Sequence, residues 1–441
     1  MSPKTHEMAP ETVVPTCGEV FTKDLILEIV RSEARNAGPR LLTWNGKHAT
    51  LVEQFTVNGV TYVPLDLGAA IGRALLLPAR ATEYGSTRQL FNEIATLVSR
   101  ASRLPNSAVI LVASWVFATW FADRLPVAPV LWITSSPTGS AGPLLQLLTL
   151  LCRRALLVTE PTVATLRSLP MQLRPTIVTE VSTITPAFLK ALRASNRRGT
   201  LSVVGNKAVD LYCPKIVVSH QPLRDPAQAG FPLEIALPLS NEHIPQLDAE
   251  ESERLGSEFQ EKLLMCRLVT WAKVTTPNFD LGEYTAPTRE LAHILAGCIV
   301  DDKELQGKIV SLLRPRDREI QVDRTLLLES IVIEGLWAAC HDSRYGDVSV
   351  TDLTKSVNSI LQGRGESQEV SPETVGWKLR GLGLRTDFIT GGRKGLQLPN
   401  ETRAVIHNLA EAYGVRTLQQ GGFSASCSAC TDLEQKQKKT A

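Results

Sequence analysis

The sequence predicts an α/β protein. Its core is a largely parallel sheet with helices on both faces, preceded by a small N-terminal α+β module and followed by a helical extension and a C-terminal winged helix-turn-helix. Three observations lead there. The runs VLWIT (130–134), ALLV (155–158), PTIVTE (175–180) and PKIVVS (214–219) are short and continuously apolar, with helical segments between several of them. That is the pattern of parallel strands buried on both faces. The stretch from Asp248 to about Arg316 is charged and helical in period. Beyond it the order becomes helix, strand, helix, helix, hairpin.

Bulk properties bound the rest. A chain of 441 residues is long enough for about two to four domains. Apolar content of 43% and charge of 21% describe an ordinary globular core. The net charge of +2 advertises no nucleic-acid binding globally, so any basic surface is local. Eight cysteines without framework spacing suggest reduced thiols and a cytoplasmic setting. Residues 1–21 lack an apolar signal core and are expected to form a disordered tail. The uncharged stretch Leu104–Ala122 is diluted by Pro105, Asn106, Ser107, Ser114 and Thr119, which fits a buried helix better than a membrane span.

In chain order, Thr22–Arg35 places Leu25, Ile26, Ile29 and Val30 at helical spacing and predicts a short amphipathic helix. Strand-like runs then fill Arg40–Leu65. Within them Asn58-Gly59 sits between alternating β-formers, a hairpin signal because both turn positions need positive φ. Residues 22–85 form the N-terminal module on this reading, 86–240 the core and 241–322 the helical extension. The winged-helix domain is expected over 323–416, with a flexible tail over 417–441. In that last domain, Ser371 caps a helix that Pro372 begins. The hairpin turn is Thr390-Gly391-Gly392-Arg393-Lys394.

The segment 126–151 reads as strand, Gly/Ser loop and helix, the frame of a phosphate-binding P-loop. A working loop needs G-x-x-x-x-G-K-[ST], in which backbone N–H groups cradle phosphates, Lys reaches the β/γ-phosphates and the hydroxyl holds Mg²⁺. Here the loop runs Ser135-Ser136-Pro137-Thr138-Gly139-Ser140-Ala141-Gly142-Pro143. Ala141 stands at the Lys position and Gly142 at the Ser/Thr position. Ser135, Thr138, Gly139, Ser140 and Gly142 are the remaining candidates for nucleotide contact. The strand 175–180 should end in Asp-Glu for metal and water activation. Thr179 replaces the Asp, and Glu180 alone keeps a carboxylate. The strand 214–219 leads to Ser219-His220, where such ATPases often place a group that senses the γ-phosphate.

On these stretches, together with SNRRGTLSVVG (195–205) and 371–398, the chain resembles P-loop, AAA-like ATPases of the helicase/primase-associated type from bacterial mobile elements. The resemblance spans about Thr22–Val415. It implies ATP with Mg²⁺ as cofactor, DNA or a replication or helicase partner, and an arginine just before the strand at 232–238. That neighbourhood is Gln228-Ala229-Gly230-Phe231, with Arg224 the nearest arginine. Lysine, hydroxyl, aspartate and arginine are all missing, and losing one such charge costs about 10²–10⁵-fold in rate. The expectation is a catalytically degenerate protein. The alternatives are a weak ATPase using Glu180 as base and a protein-interaction scaffold.

For DNA the candidates are Lys378, Arg380, Arg385, Arg393 and Lys394 in the last domain, with Arg197 and Arg198 in a core loop turned by Gly199. Trp377, Leu379 and Leu382 are expected to be buried, leaving Lys378 and Arg380 to meet phosphates. Cys427 and Cys430 have half of a zinc-site spacing, and no second pair follows them. No metal is assigned, and no Ser–His–Asp set is supported.

Overall fold

The computed structural model describes residues 12–33, 38–136, 141–159, 161–223, 230, 232–239, 244–274, 281, 284–341, 346–366, 369–415 and 427. The chain separates into two compact units, Met1–Leu313 and Arg314–Ala441.

The first unit is built on five parallel strands: Val130–Thr134, Ala155–Leu157, Thr176–Val181, Lys215–Ser219 and Leu233–Ala236. Counted in chain order, they lie across the sheet as fifth, first, fourth, third, second, and each neighbouring pair is parallel. Their unbroken apolar character has a direct cause. Leu131 and Ile133 pack into one cluster with the helices Thr87–Ser102, Asn106–Trp120 and Gly142–Leu151. Val130 and Trp132 face the other way, onto Phe188, Leu189 and Leu192 of the helix Pro186–Ala194. A strand covered on both faces keeps no polar side.

The helix Asn106–Trp120 settles the membrane question. It has 15 residues, about 22 Å at about 1.5 Å per residue, and it is buried nearly all round by the protein itself. Among the described residues no helix is long and apolar enough to cross a membrane.

Two expectations for the N-terminal region are corrected. Thr22–Arg35 is not helical: Gly18–Thr22 and Leu25–Val30 are antiparallel strands in a four-stranded sheet completed by Arg40–Trp44 and Ala49–Val52. Ile26, Leu27, Ile29 and Val30 are all at most 1% exposed, so the spacing read as one helical face belongs to a strand covered on both faces, which β-branched Ile and Val favour. Residues 12–21 are not tail either, since Thr12–Thr16 pairs in parallel with Val60–Pro64. The Asn-Gly hairpin is present as expected, with φ of 52° at Asn58 and 75° at Gly59.

In the second unit, helix Leu328–His341, strand Asp347–Ser349 and helices Val350–Gly363 and Pro372–Gly381 precede a hairpin of Asp387–Phe388 and Lys394–Gln397. Helix Asn400–Ala412 follows. The three strands make one antiparallel sheet with Lys394–Gln397 at its centre. Ser371 caps its helix by accepting from Thr374 N at 3.3 Å. Leu336, Leu353, Val357, Val375, Leu379, Leu396 and Ile406 share one core.

Candidate functional site

In an open parallel sheet, ligands bind beyond the carboxyl ends of strands at the point where chain connections leave in opposite directions. Here that point lies between the first strand, whose chain runs on toward the second, and its neighbour the fourth, whose chain crosses to the fifth. Ser135 and His220 follow those two strand ends. Ser135 N donates to Ser219 O at 2.9 Å, and Ser135 Oγ lies 3.2 Å from His220 Nδ1. Glu180, near the end of the third strand, places Oε1 4.0 Å from His220 Nε2. The fold therefore gathers two of the sequence-predicted residues, Ser135 and Glu180, around His220.

Among the described residues the rest of the nucleotide chemistry is not found. Gly142 opens the helix Gly142–Leu151, Pro143 removes one N-terminal donor, and Ala141 is 8% exposed with no side chain to offer phosphate. Thr179 is buried, and its hydroxyl has no hydrogen-bond partner among the described residues. No lysine or arginine among them hydrogen-bonds or pairs with Ser135, Glu180 or His220. Thr138, Gly139 and Ser140, like Arg224, lie outside the described residues.

The opposite end of the same sheet holds charges that sequence reasoning missed. Glu28, on Leu25–Val30, accepts from Arg153 and Arg154 just ahead of the second strand, and from Arg267 on the helix Ala249–Thr270. Arg267 also grips Asp123 with two bonds of 2.6 Å each. All but Asp123 are nearly inaccessible. Burial would raise the Glu28 carboxyl, but Arg153, Arg267 and Arg154 outweigh it and hold it at about 2. Burial, with Arg154 and Arg267 close by, lowers Arg153 to about 10. These groups form one wall of a cavity of 790 Å³, lined in all by seven arginines against four carboxylates. Arg167, Arg174 and Arg198 on its other walls have no carboxylate partner among the described residues. Arg167 donates to Ser202 Oγ, and Arg198 to Ala122 O. A concave site with excess guanidinium attracts phosphate-like anions. No local signal could have exposed it, because Glu28 and Arg267 meet across 239 positions.

The DNA candidates divide. Arg197 reaches toward Glu290 at 3.9 Å while Arg198 turns into the cavity, so the pair does not act as one patch. In the second unit Lys378 is not free as expected, since it pairs with Glu329 at 2.7 Å. Arg393 pairs with Asp352 at 3.1 Å. Trp377 is not buried: it is 69% exposed, and the Arg380 guanidinium stacks 5.0 Å from its ring centre. Leu379 fills the core instead, because Val375 and Leu379 at i and i+4 face inward and turn position 377 outward. Arg380, Arg385 and Lys394 are exposed and have no carboxylate partner among the described residues. Phe388 beside them is 75% exposed.

No family model matches the sequence, and no curated protein matches it. Among solved structures, the apo C-terminal region of NrS-1 is similar over 85% of this chain and 97% of its own, with 11% identity and a TM-score of 0.35. A full-length MCM homolog from Methanopyrus kandleri aligns over 66% of this chain and 76% of its own, at 11% identity and TM-score 0.34. Cdc6p from Pyrobaculum aerophilum covers 69% and 92%, at 13% and 0.20. Identities this low carry no function across.

Proposed function

We propose that the chain is a catalytically degenerate P-loop ATPase-like protein that binds DNA, or a replication partner, through a winged helix in its second unit. One observation carries the reading. The helix Pro372–Gly381 and the hairpin after it present Arg380, Arg385 and Lys394 without carboxylate partners among the described residues, beside exposed Trp377 and Phe388. Cations set phosphate affinity, and an exposed ring offers a stacking or wedging surface. Lys378 and Arg393 can exchange their partly exposed ion pairs for phosphate, because such pairs contribute only about 0–1 kcal/mol. In the test, Arg385→Ala combined with Lys394→Ala weakens duplex DNA binding by the full chain. Unchanged binding removes the proposed contact and leaves the same face as a protein-docking surface.

A second reading, a weak ATPase, has the Ser135–His220–Glu180 cluster in its favour. It requires DNA-stimulated ATP hydrolysis that disappears in Glu180→Ala. The degenerate reading expects no competable binding of a fluorescent ATP analogue with Mg²⁺.

A further inference from the structure

In the second unit, Cys340, His407 and Cys427 come together from positions far apart in sequence. Cys340 lies near the end of helix Leu328–His341 and His407 in helix Asn400–Ala412. All three side chains are buried to 2% exposure or less. Their sulfur and nitrogen ligand atoms lie within 4.8 Å of one another. We infer that these residues form a binding site for a thiophilic divalent cation, zinc in the cell, which fastens residue 427 onto the two helices.

The geometry supports this beyond proximity. Zn–S bonds of about 2.3 Å and Zn–N bonds of about 2.05 Å at the tetrahedral angle set sulfur and nitrogen about 3.6 Å apart. Cys427 Sγ is 3.6 Å from His407 Nε2, while Cys340 Sγ lies 4.0 Å from Nδ1 of the same ring, so an ion on Nε2 requires the Cys340 side chain to turn toward that nitrogen. The histidine tautomer suits the role. His407 Nδ1 lies 2.6 Å from Arg403 O, and a carbonyl only accepts, so Nδ1 carries the proton and Nε2 the lone pair. A ligating histidine is commonly held in this way by a hydrogen bond from its other nitrogen. Arg403 also braces Cys340: its guanidinium donates to Cys340 O and lies 3.8 Å from Cys340 Sγ. Two thiolates and a neutral imidazole match the charge and softness that zinc prefers. In sequence, Cys430 follows Cys427 at Cys-x-x-Cys spacing. It lies outside the described residues, and the site argued here is the three-residue cluster.

The test uses the full chain, purified with reductant, stripped of metal and titrated with Co²⁺. The expected result is one Co²⁺ per chain, with visible bands of tetrahedral intensity and thiolate-to-cobalt charge transfer, and displacement by Zn²⁺. Cys427→Ser and His407→Ala should each weaken metal binding by at least about tenfold. Cys152→Ser, in the core of the first unit, should leave it unchanged. The wild-type spectrum needs no variant to fold. Absence of binding, a spectrum without thiolate bands, or full retention of Co²⁺ in a Cys340→Ser/Cys427→Ser variant would overturn the assignment.

Discussion

The two ends of the five-stranded sheet hold charge in opposite ways. Beyond its carboxyl ends, where a P-loop frame should concentrate cations for phosphate, stand Ser135, Glu180 and His220 with no lysine or arginine paired to them among the described residues. Before its amino ends, Glu28 is held by three arginines beside a cavity where guanidinium groups outnumber carboxylates. The buried charge of this sheet serves structure at its amino ends, and among the described residues none of it is placed at the crevice beyond the carboxyl ends. Glu28 ties the N-terminal sheet, the second core strand and the helix Ala249–Thr270 into one unit.

Four predictions sharpen or break that contrast, in decreasing order of effect. Replacing Glu28 by Gln leaves buried Arg153 and Arg154 without their carboxylate and Arg267 with Asp123 alone, and should destabilise the first unit by about 3–5 kcal/mol in denaturant unfolding. Glu180→Gln at the other end, at an exposed position, should stay within about 0.5 kcal/mol. Equal effects would erase the asymmetry.

Acid should reveal the same hub. The Glu28 carboxyl sits near 2 in the folded chain against 4.5 ordinarily. Its contribution is therefore complete above pH 4.5 and is lost as pH falls from there toward 2, amounting to about 3 kcal/mol. The loss should be smaller by about that amount in Glu28→Gln, where Asp123, also held low by Arg267 against its burial, still titrates, as followed by urea midpoints across that range.

Inorganic tripolyphosphate should raise the melting temperature of the full chain through the amino-end cavity. Arg174→Gln with Arg198→Gln should abolish the rise, and Ser135→Ala with His220→Ala should preserve it. The reverse pattern would return phosphate binding to the carboxyl-end crevice. The smallest effect belongs to Trp377→Ala. Its ring is exposed and stacks with Arg380, so stability should change by less than about 0.5 kcal/mol, while affinity for DNA falls.

Legibility in the sequence followed the range of the interactions. The core strands were readable because burial on both faces leaves a continuous apolar run, and the Asn58-Gly59 turn because its chemistry is local. Leu25–Val30 was misread because four buried apolar residues within six positions satisfy a helical spacing and a covered strand alike. Trp377 was misread by its apolar character, although its helix needed only Val375 and Leu379 on the inner face. The Glu28 hub and the Cys340–His407–Cys427 cluster had no local spacing to betray them. Cys340 and His407 stand upstream of Cys427, on two separate helices.

The central claim is that this chain acts through the cations of its second unit and not through nucleotide chemistry. It is tested most directly by equilibrium binding of the full chain to labelled duplex DNA across a salt series, for wild type and for Arg380→Ala/Arg385→Ala/Lys394→Ala. Five phosphate contacts, from Lys378, Arg380, Arg385, Arg393 and Lys394, predict a log–log slope of about −4.5 for wild type, falling to about −1.8 in the variant with at least about tenfold of low-salt affinity lost. A variant with wild-type affinity and slope would contradict the account.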